Sequence, residues 1–97
     1  MMLVVVAYDV NTETEEGRKR LRRVARVCES YGQRVQHSVF ECLVDAAGWT
    51  KVRARLIREI SEVSDSLRFY FLGDNWQRRV EHVGAKVSYD PQGPLIV

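Results

Sequence analysis

The residues of this sequence most suited to chemistry are a carboxylate and a group of basic side chains near the N-terminus. Asp9 follows the apolar run LVVVAY and precedes a polar turn. A carboxylate at the end of a rigid strand can bind Mg²⁺, which proteins commonly hold by one or two carboxylates with water and substrate phosphate. The alternative is that Asp9 hydrogen-bonds backbone N–H groups of the turn. Both interpretations stay open at this point.

The basic side chains cluster directly after an acidic stretch. Residues 9–16 hold four acids and no base, whereas residues 18–34 hold seven bases and one acid. Four of the bases recur at helical spacing and so share one predicted exposed helix face: Lys19, Arg22, Arg23 and Arg26. Such a charge run is usually a solvated face. The alternative is phosphate binding, because phosphates respond to local potential even where the net charge is only +2.

Other kinds of chemistry find little support. The sequence contains no GxGxxG, GxxxxGK, GxSxG or HExxH motif. Cys28 and Cys42 lie at apolar positions without a CxxC motif, which predicts buried core thiols and a reducing compartment. The longest apolar run, residues 1–8, is too short to span a bilayer. We therefore expect a cytoplasmic protein with no membrane partner.

The elements that must position these residues follow from hydrophobic periodicity. Alternating or continuous apolar runs predict strands over residues 3–10, 34–44, 65–72 and 80–87. One helix is predicted to begin near Glu15, capped by Thr12 or Thr14, and to end at Gly32. A second helix is predicted from an apolar face of five residues: Trp49, Val52, Leu56, Ile60 and Val63.

This order of elements predicts an α+β fold, the ferredoxin-like split βαβ sandwich, in one domain over residues 1–87. Both helices would cover one face of an antiparallel sheet, and the other face would need a partner. A twofold homodimer through that face would supply it and would let two copies of Asp9 share one Mg²⁺ per dimer. Residues 88–97 contain two prolines and should form an extended tail.

Three segments together resemble a known family: YDV at the end of the first strand, an RxR in the first helix, and RVQHSVFE on the second strand. The chain resembles the Cas-two family, the small CRISPR-associated proteins of spacer acquisition. The resemblance implies a homodimer in which residues 88–97 add to the partner's sheet. Asp9 matches the strand-end aspartate taken to bind a divalent metal in members that cleave RNA or DNA. The other matched positions are Arg18, Arg20 and Arg34, which would hold phosphates, and Ser38 and Phe40 in the S-V-F stretch.

The resemblance leaves the activity open. Its common role is a spacer between two integrase dimers of the Cas-one type, which binds the middle of a DNA duplex by its backbone. A magnesium-dependent endonuclease acting on duplex DNA or single-stranded RNA is the second class. The third class is an unrelated ferredoxin-like regulatory module without nuclease activity, which would need a Gly-rich ligand loop and no basic helix face. The sequence shows the reverse of that pattern.

Overall fold

Two helices pack against one face of a five-stranded antiparallel sheet. The computed structural model describes residues 1–72 and 80–85. The elements are β1 Met2–Asp9, α1 Glu15–Tyr31, β2 Gly32–Gln36, β3 Val39–Val44, α2 Ala46–Glu59, β4 Ser66–Leu72 and β5 Val80–Gly84, and the strand order is β2-β3-β1-β4-β5. The predicted α+β, ferredoxin-like fold is confirmed. The expected tail, residues 88–97, lies outside the described residues.

Strand β1 runs through the centre of the sheet, paired with β3 on one side and β4 on the other. Successive side chains of a strand point to opposite faces. Val4, Val6 and Tyr8 are accordingly buried beneath the helices. The intervening residues, and with them Asp9, project from the opposite face, which no described element covers. We call this second surface the open face of the sheet.

The core lies between the sheet and the apolar sides of the two helices. Helix α2 presents Trp49 to the sheet, where its indole meets Phe69 and Phe71 edge-on with centroids 4.8 and 5.5 Å apart. The prediction that Val63 continues this apolar side is wrong: α2 ends at Glu59, and Val63 is 92% exposed in the connection to β4. Among the described residues, neither helix has the length and apolar character needed to cross a membrane.

The prediction of a single strand over residues 34–44 is also wrong. The segment folds into a hairpin in which β2 pairs with β3 and Gln36 lies opposite Val39. His37 and Ser38 form the two-residue turn, and the register shifts between Arg34 and Gln36. The polar stretch QHS is a tight connection, whereas the following VFECLV alternates as a half-buried strand. The turn places His37 and Ser38 beside the end of β1.

The connection from β1 to α1 is tightly built. Thr14 is the N-cap of α1, and its hydroxyl accepts a hydrogen bond from the Gly17 amide at 3.0 Å. A β-carbon at Gly17 would collide with the carbonyl oxygen of Asn11. Only glycine therefore lets the helix approach the chain leaving β1 so closely. This contact fixes the path of the backbone immediately after Asp9.

Candidate functional site

Asp9 projects from the open face at the carboxyl end of β1, opposite Ser66 of β4. It borders a shallow cavity of about 220 Å³, and the lining residues are Ala7, Tyr8, Asp9, Ser66, Arg68, Tyr70 and His82. Across residues 1–72 and 80–85, nothing donates a hydrogen bond to the Asp9 carboxylate and no cation pairs with it. The turn after β1 is held by other groups: Asp65 accepts from the Asn11 amide and Asn11 from the Glu13 amide. The geometry therefore favours a carboxylate available to a ligand over one that caps the turn.

Two basic side chains line the same cavity and are held in place by neighbours. Nε2 of His82 lies 2.6 Å from the carbonyl oxygen of Ala85, which requires the ring to donate from Nε2. On the other side of the ring, Nδ1 lies 3.4 Å from Nη2 of Arg68. No group of three or more metal-ligating side chains occurs in the described part of the chain. Within the described residues, Asp9 is thus the one carboxylate that a single chain offers to the predicted Mg²⁺ site, which needs a second copy of Asp9.

The predicted basic helix face divides into paired and unpaired side chains. Arg23 forms an ion pair with Glu59 of α2 at 2.8 Å, and Lys19 lies 3.8 Å from Glu16. Arg22 and Arg26 are exposed, and within residues 1–72 and 80–85 neither guanidinium has an ion-pair or hydrogen-bond partner. The outward charge of α1 is therefore concentrated on its side away from α2.

The two matched arginines of the RxR segment also differ from each other. Arg18 is exposed, and its guanidinium donates to the backbone carbonyl of Thr12 at 3.1 Å. Arg20 instead donates to the buried carboxylate of Asp65, with its Nε 2.7 Å from Oδ2. A guanidinium held in this way is not free to move onto a phosphate. Arg18 is therefore the better candidate of the pair for nucleic-acid binding.

Arg22 meets the hairpin turn at a second cavity, of about 250 Å³. Its lining residues are Tyr8, Leu21, Arg22, Ala25, Arg34, His37 and Ser38. Arg34 donates to the carbonyl of His37 at 2.7 Å, and its guanidinium lies 4.9 Å above the ring of Phe40. Phe40 itself is fully buried, so it supports Arg34 from below. The structure thus brings three predicted residues, Arg22, Arg34 and Ser38, to one cavity.

This basic cavity and Asp9 lie on opposite faces of the sheet. Tyr8 and Asp9 are consecutive residues of β1, so their side chains point in opposite directions. Tyr8 reaches the helix side, where its hydroxyl lies 3.3 Å from the carbonyl oxygen of His37. Asp9 reaches the open face. Within one chain, the predicted phosphate-binding groups and the predicted metal ligand do not converge on one cavity.

The cysteines have no role in either cavity. Burial raises the pKa of the Cys28 thiol to about 12, with a further increase from neighbouring Cys42. Burial also raises the pKa of Cys42. Neither side chain carries an appreciable thiolate fraction at neutral pH, and the thiolate is the nucleophilic form. Both are buried free thiols, as the sequence predicts.

Sequence reasoning missed Asp65, which is the fully buried partner of Arg20. It also missed the ion pair between Arg53 of α2 and Glu81 of β5, in which Nε lies 2.9 Å from Oε1. In both pairs the partners are far apart in sequence. The periodicity of residues within one helix or strand therefore could not predict these two ion pairs.

Comparison with known proteins places the chain in a family. A family model described as CRISPR associated protein Cas2 matches residues 2–80. A protein from Chlorobaculum tepidum, named CRISPR-associated endoribonuclease Cas2, is 64% identical over 96 residues, which are 99% of this chain and 100% of that protein. One from Halalkalibacterium halodurans, named CRISPR-associated endonuclease Cas2, is 54% identical over 95 residues, 98% of this chain and 99% of that protein.

A solved structure agrees with the sequence relatives. The crystal structure of Streptococcus pyogenes Cas2 at pH 6.5 superposes with a TM-score of 0.70 at 61% identity, covering 86% of this chain and 100% of that one. The family model spans most of the chain, and the relatives match it nearly end to end. The chain therefore belongs to the Cas2 family of CRISPR-associated proteins.

Proposed function

We propose that this protein is a homodimeric nucleic-acid-binding adaptor of CRISPR adaptation, which holds duplex DNA by its backbone beside an integrase of the Cas-one type. The observation that carries the proposal is a set of exposed arginines without carboxylate partners in the described part of the chain: Arg18, Arg22, Arg26 and Arg34. Guanidinium groups bind phosphate oxygens strongly and carry no base information when they do so. Membership of the Cas2 family leaves no support for an unrelated small-ligand module.

The open face supports the dimer. It is lined by apolar side chains from three strands, and two of the largest are well exposed, Leu43 at 58% and Leu72 at 45%. Exposed apolar side chains on a sheet face favour a cover, and a second copy of the chain supplies an identical surface across a twofold axis. Sedimentation at micromolar concentration should therefore give about twice the 11.2 kDa chain mass. A strictly monomeric protein would refute the dimer.

Duplex binding is tested by its salt dependence. Backbone binding releases counterions, so the logarithm of the affinity should fall with the logarithm of salt concentration by about 0.9 per phosphate neutralised. Arg22→Gln should reduce this slope by up to about 0.9, irrespective of DNA sequence. Arg23→Gln is the matched control, because Arg23 is one residue away and already paired with Glu59. Equal effects of the two substitutions would show that the unpaired arginines are not the phosphate ligands.

The integrase partnership needs its own experiment. Purified protein and a Cas-one-type integrase should co-sediment, and the mixture should insert a labelled duplex into a repeat array more efficiently than the integrase alone. Arg22→Gln should lower insertion while leaving co-sedimentation unchanged, since it alters DNA contacts only. An integrase that neither binds this protein nor responds to it would contradict the adaptor role.

A second candidate function is magnesium-dependent endonuclease activity, which the unpartnered Asp9 carboxylate favours. One carboxylate per chain fits Mg²⁺, which binds through one or two carboxylates and keeps several waters, provided that two copies of Asp9 share the ion. When bound, Mg²⁺ would polarise the scissile phosphate and lower the pKa of water. Asp9 would hold the ion, and Arg68 would add positive charge to the cavity wall. The printed names of the relatives, endoribonuclease and endonuclease, support the same candidate.

Cleavage assays test this second candidate. Labelled single-stranded RNA and duplex DNA should be cleaved with Mg²⁺ but not with a chelator, and Asp9→Asn should abolish cleavage. Asn keeps the shape of Asp but loses the negative charge. Duplex binding should survive, because it depends on the helix side. A wild-type protein without cleavage activity would leave the adaptor as the only supported function.

A further inference from the structure

Asp65 is a carboxylate that has no contact with solvent and is fully saturated with hydrogen bonds. Its side chain is 0% exposed. Oδ2 accepts from Nε of Arg20 at 2.7 Å and from the Ser61 amide at 2.9 Å. Oδ1 accepts from the Asn11 amide at 3.0 Å, with longer contacts from Ser64 and from Nη2 of Arg20. One buried group therefore links the end of β1, helix α1 and the connection from α2 to β4.

The backbone of Asp65 also links these elements to the residue after β5, at the edge of the sheet. Its carbonyl oxygen accepts from the Ala85 amide at 2.7 Å. Gly84 has a φ of +105°, and a β-carbon there would collide with that carbonyl. Next in sequence, Ser66 lies opposite Asp9 in the register of β1 and β4. Asp65 thus directly precedes the residue that pairs with Asp9.

Contacts of Asp65 and of Gly17 hold the backbone on the exit side of Asp9. Asp9 is the last residue of β1, and two residues later the Asn11 amide is held by Asp65. From the other side, the Asn11 carbonyl is pressed against Gly17 of α1. The backbone two residues after Asp9 is therefore tied to a distant segment by a hydrogen bond that ends on Asp65.

We propose that Asp65, with Arg20 as its counter-ion, is a positioning residue that sets the direction of the Asp9 carboxylate on the open face. The part concerning metal rests on the proposed role of Asp9 as a metal ligand; the part concerning backbone position does not. Burial by itself would raise the pKa of Asp65, but the hydrogen bonds from Arg20, Ser61 and Asn11 outweigh it and lower the pKa. The group is therefore ionised at neutral pH and accepts from all three donors at once.

The substitution Asp65→Asn tests the positioning role. The Asn amide has the same shape as the Asp carboxylate but replaces one hydrogen-bond acceptor by a donor. It cannot satisfy Arg20, Ser61 and Asn11 together. Hydrogen exchange on the ¹⁵N-labelled full chain measures the result. We expect the Asn11 amide to exchange at least about tenfold faster in Asp65→Asn, while amides in the middle of β1 keep their wild-type rates. An unchanged Asn11 amide would overturn the proposal whether or not the protein binds metal.

Metal binding is followed with Mn²⁺, whose paramagnetism broadens the amide signals around Asp9. Groups hydrogen-bonded directly to metal ligands typically change affinity by about 10- to 100-fold. Asp65 acts through the backbone, so we expect Asp65→Asn to require more Mn²⁺ than wild type, by up to that factor. Glu81→Gln is the matched control, because Glu81 also pairs with an arginine, whereas the acceptor of the Asn11 amide is Asp65. Equal weakening by both variants would overturn the positioning role; absence of broadening in wild type would refute the metal role of Asp9 alone.

A second pair of variants applies if Asp65→Asn fails to fold. Arg20→Lys keeps the positive charge beside the buried carboxylate but loses the planar two-point contact. Arg23→Lys is its control, since Arg23 pairs with Glu59 and does not reach Asp65. Faster exchange of the Asn11 amide in Arg20→Lys than in Arg23→Lys supports the proposal. Equal exchange in the two variants overturns it.

Discussion

Replacing two aspartates that occupy similar positions in the sequence distinguishes the proposed metal ligand from a capping residue. Asp9 is the last residue of a strand, Asp45 directly follows a strand, and each precedes a helix. Asp45 is the N-cap of α2, and its Oδ1 accepts from the Gly48 amide at 2.6 Å. Asp9 is exposed and, in the described part of the chain, caps nothing. The two substitutions Asp9→Ala and Asp45→Ala should therefore have opposite consequences.

The expected magnitudes follow from these contacts. Loss of an N-cap costs about 1 kcal/mol of unfolding free energy, within a range of roughly 0.5–2. In a domain of this size that lowers Tm by about 4–8 °C. Exposed side chains without partners change stability by no more than about 0.5 kcal/mol, so Asp9→Ala should move Tm by less than about 4 °C. Thermal unfolding followed by circular dichroism measures both shifts.

Activity should show the reverse order. At temperatures where both variants are folded, Asp45→Ala should retain Mg²⁺-dependent cleavage of labelled RNA or duplex DNA, and Asp9→Ala should lose it. A fall in Tm for Asp9→Ala as large as that for Asp45→Ala would show that Asp9 is a capping residue after all. Wild-type cleavage by Asp9→Ala would refute its role as the metal ligand.

Three further predictions concern the buried and paired groups. Arg20→Gln should leave the salt dependence of duplex binding unchanged but lower Tm by more than about 12 °C, because an unpaired buried carboxylate costs about 3–5 kcal/mol; a reduced slope in binding titrations would show that Arg20 binds phosphate. The pKa of Asp65 is lowered in the folded protein, so its stabilising effect is complete above the ordinary value near 3.9 and is lost as the pH falls below it. The Tm difference between wild type and Asp65→Asn should accordingly narrow below about pH 4, and a constant difference would contradict the lowered pKa. Cys28 and Cys42, whose thiol pKa values are raised by burial, should react with a disulfide reagent at pH 8 only slowly until urea is added, and fast labelling of the folded protein would contradict their burial.

Local pattern was sufficient to predict those features whose physics is local. The apolar runs and the order of the elements predicted a sheet with both helices on one face, because apolar periodicity is read within each element. The helical stripe and Thr14 gave α1, because an amphipathic face and a capping hydroxyl are read within one turn of chain. Asp9 could be placed at the end of a strand for the same reason. The sequence could not predict that the Asp9 carboxylate leaves the turn uncapped, because it is Asp65 that accepts from the Asn11 amide.

The features that pattern missed arise from contacts between distant segments. Asp65 looks like an ordinary polar residue before a strand, and its role appears only when Asn11, Arg20 and Ser61 converge on it. Likewise, the four cations predicted on one face of α1 are alike in sequence. Only the position of α2 distinguishes Arg23, which meets Glu59, from its unpaired neighbours.

The placement of Tyr8 and Asp9 on opposite sides of the sheet also constrains how binding and cleavage relate. A duplex held by Arg22 and Arg34 would lie on the helix side, with the sheet between it and the Asp9 carboxylate of the same chain. To reach Asp9 of the same chain, that duplex would have to pass around the edge of the sheet. Otherwise, the carboxylate that meets it would have to come from a second copy of the chain. The two properties should therefore be separable by mutation: loss of Asp9 should leave duplex affinity intact. If Asp9→Asn and Arg22→Gln instead weakened duplex binding equally, the nucleic acid would have to reach the open face.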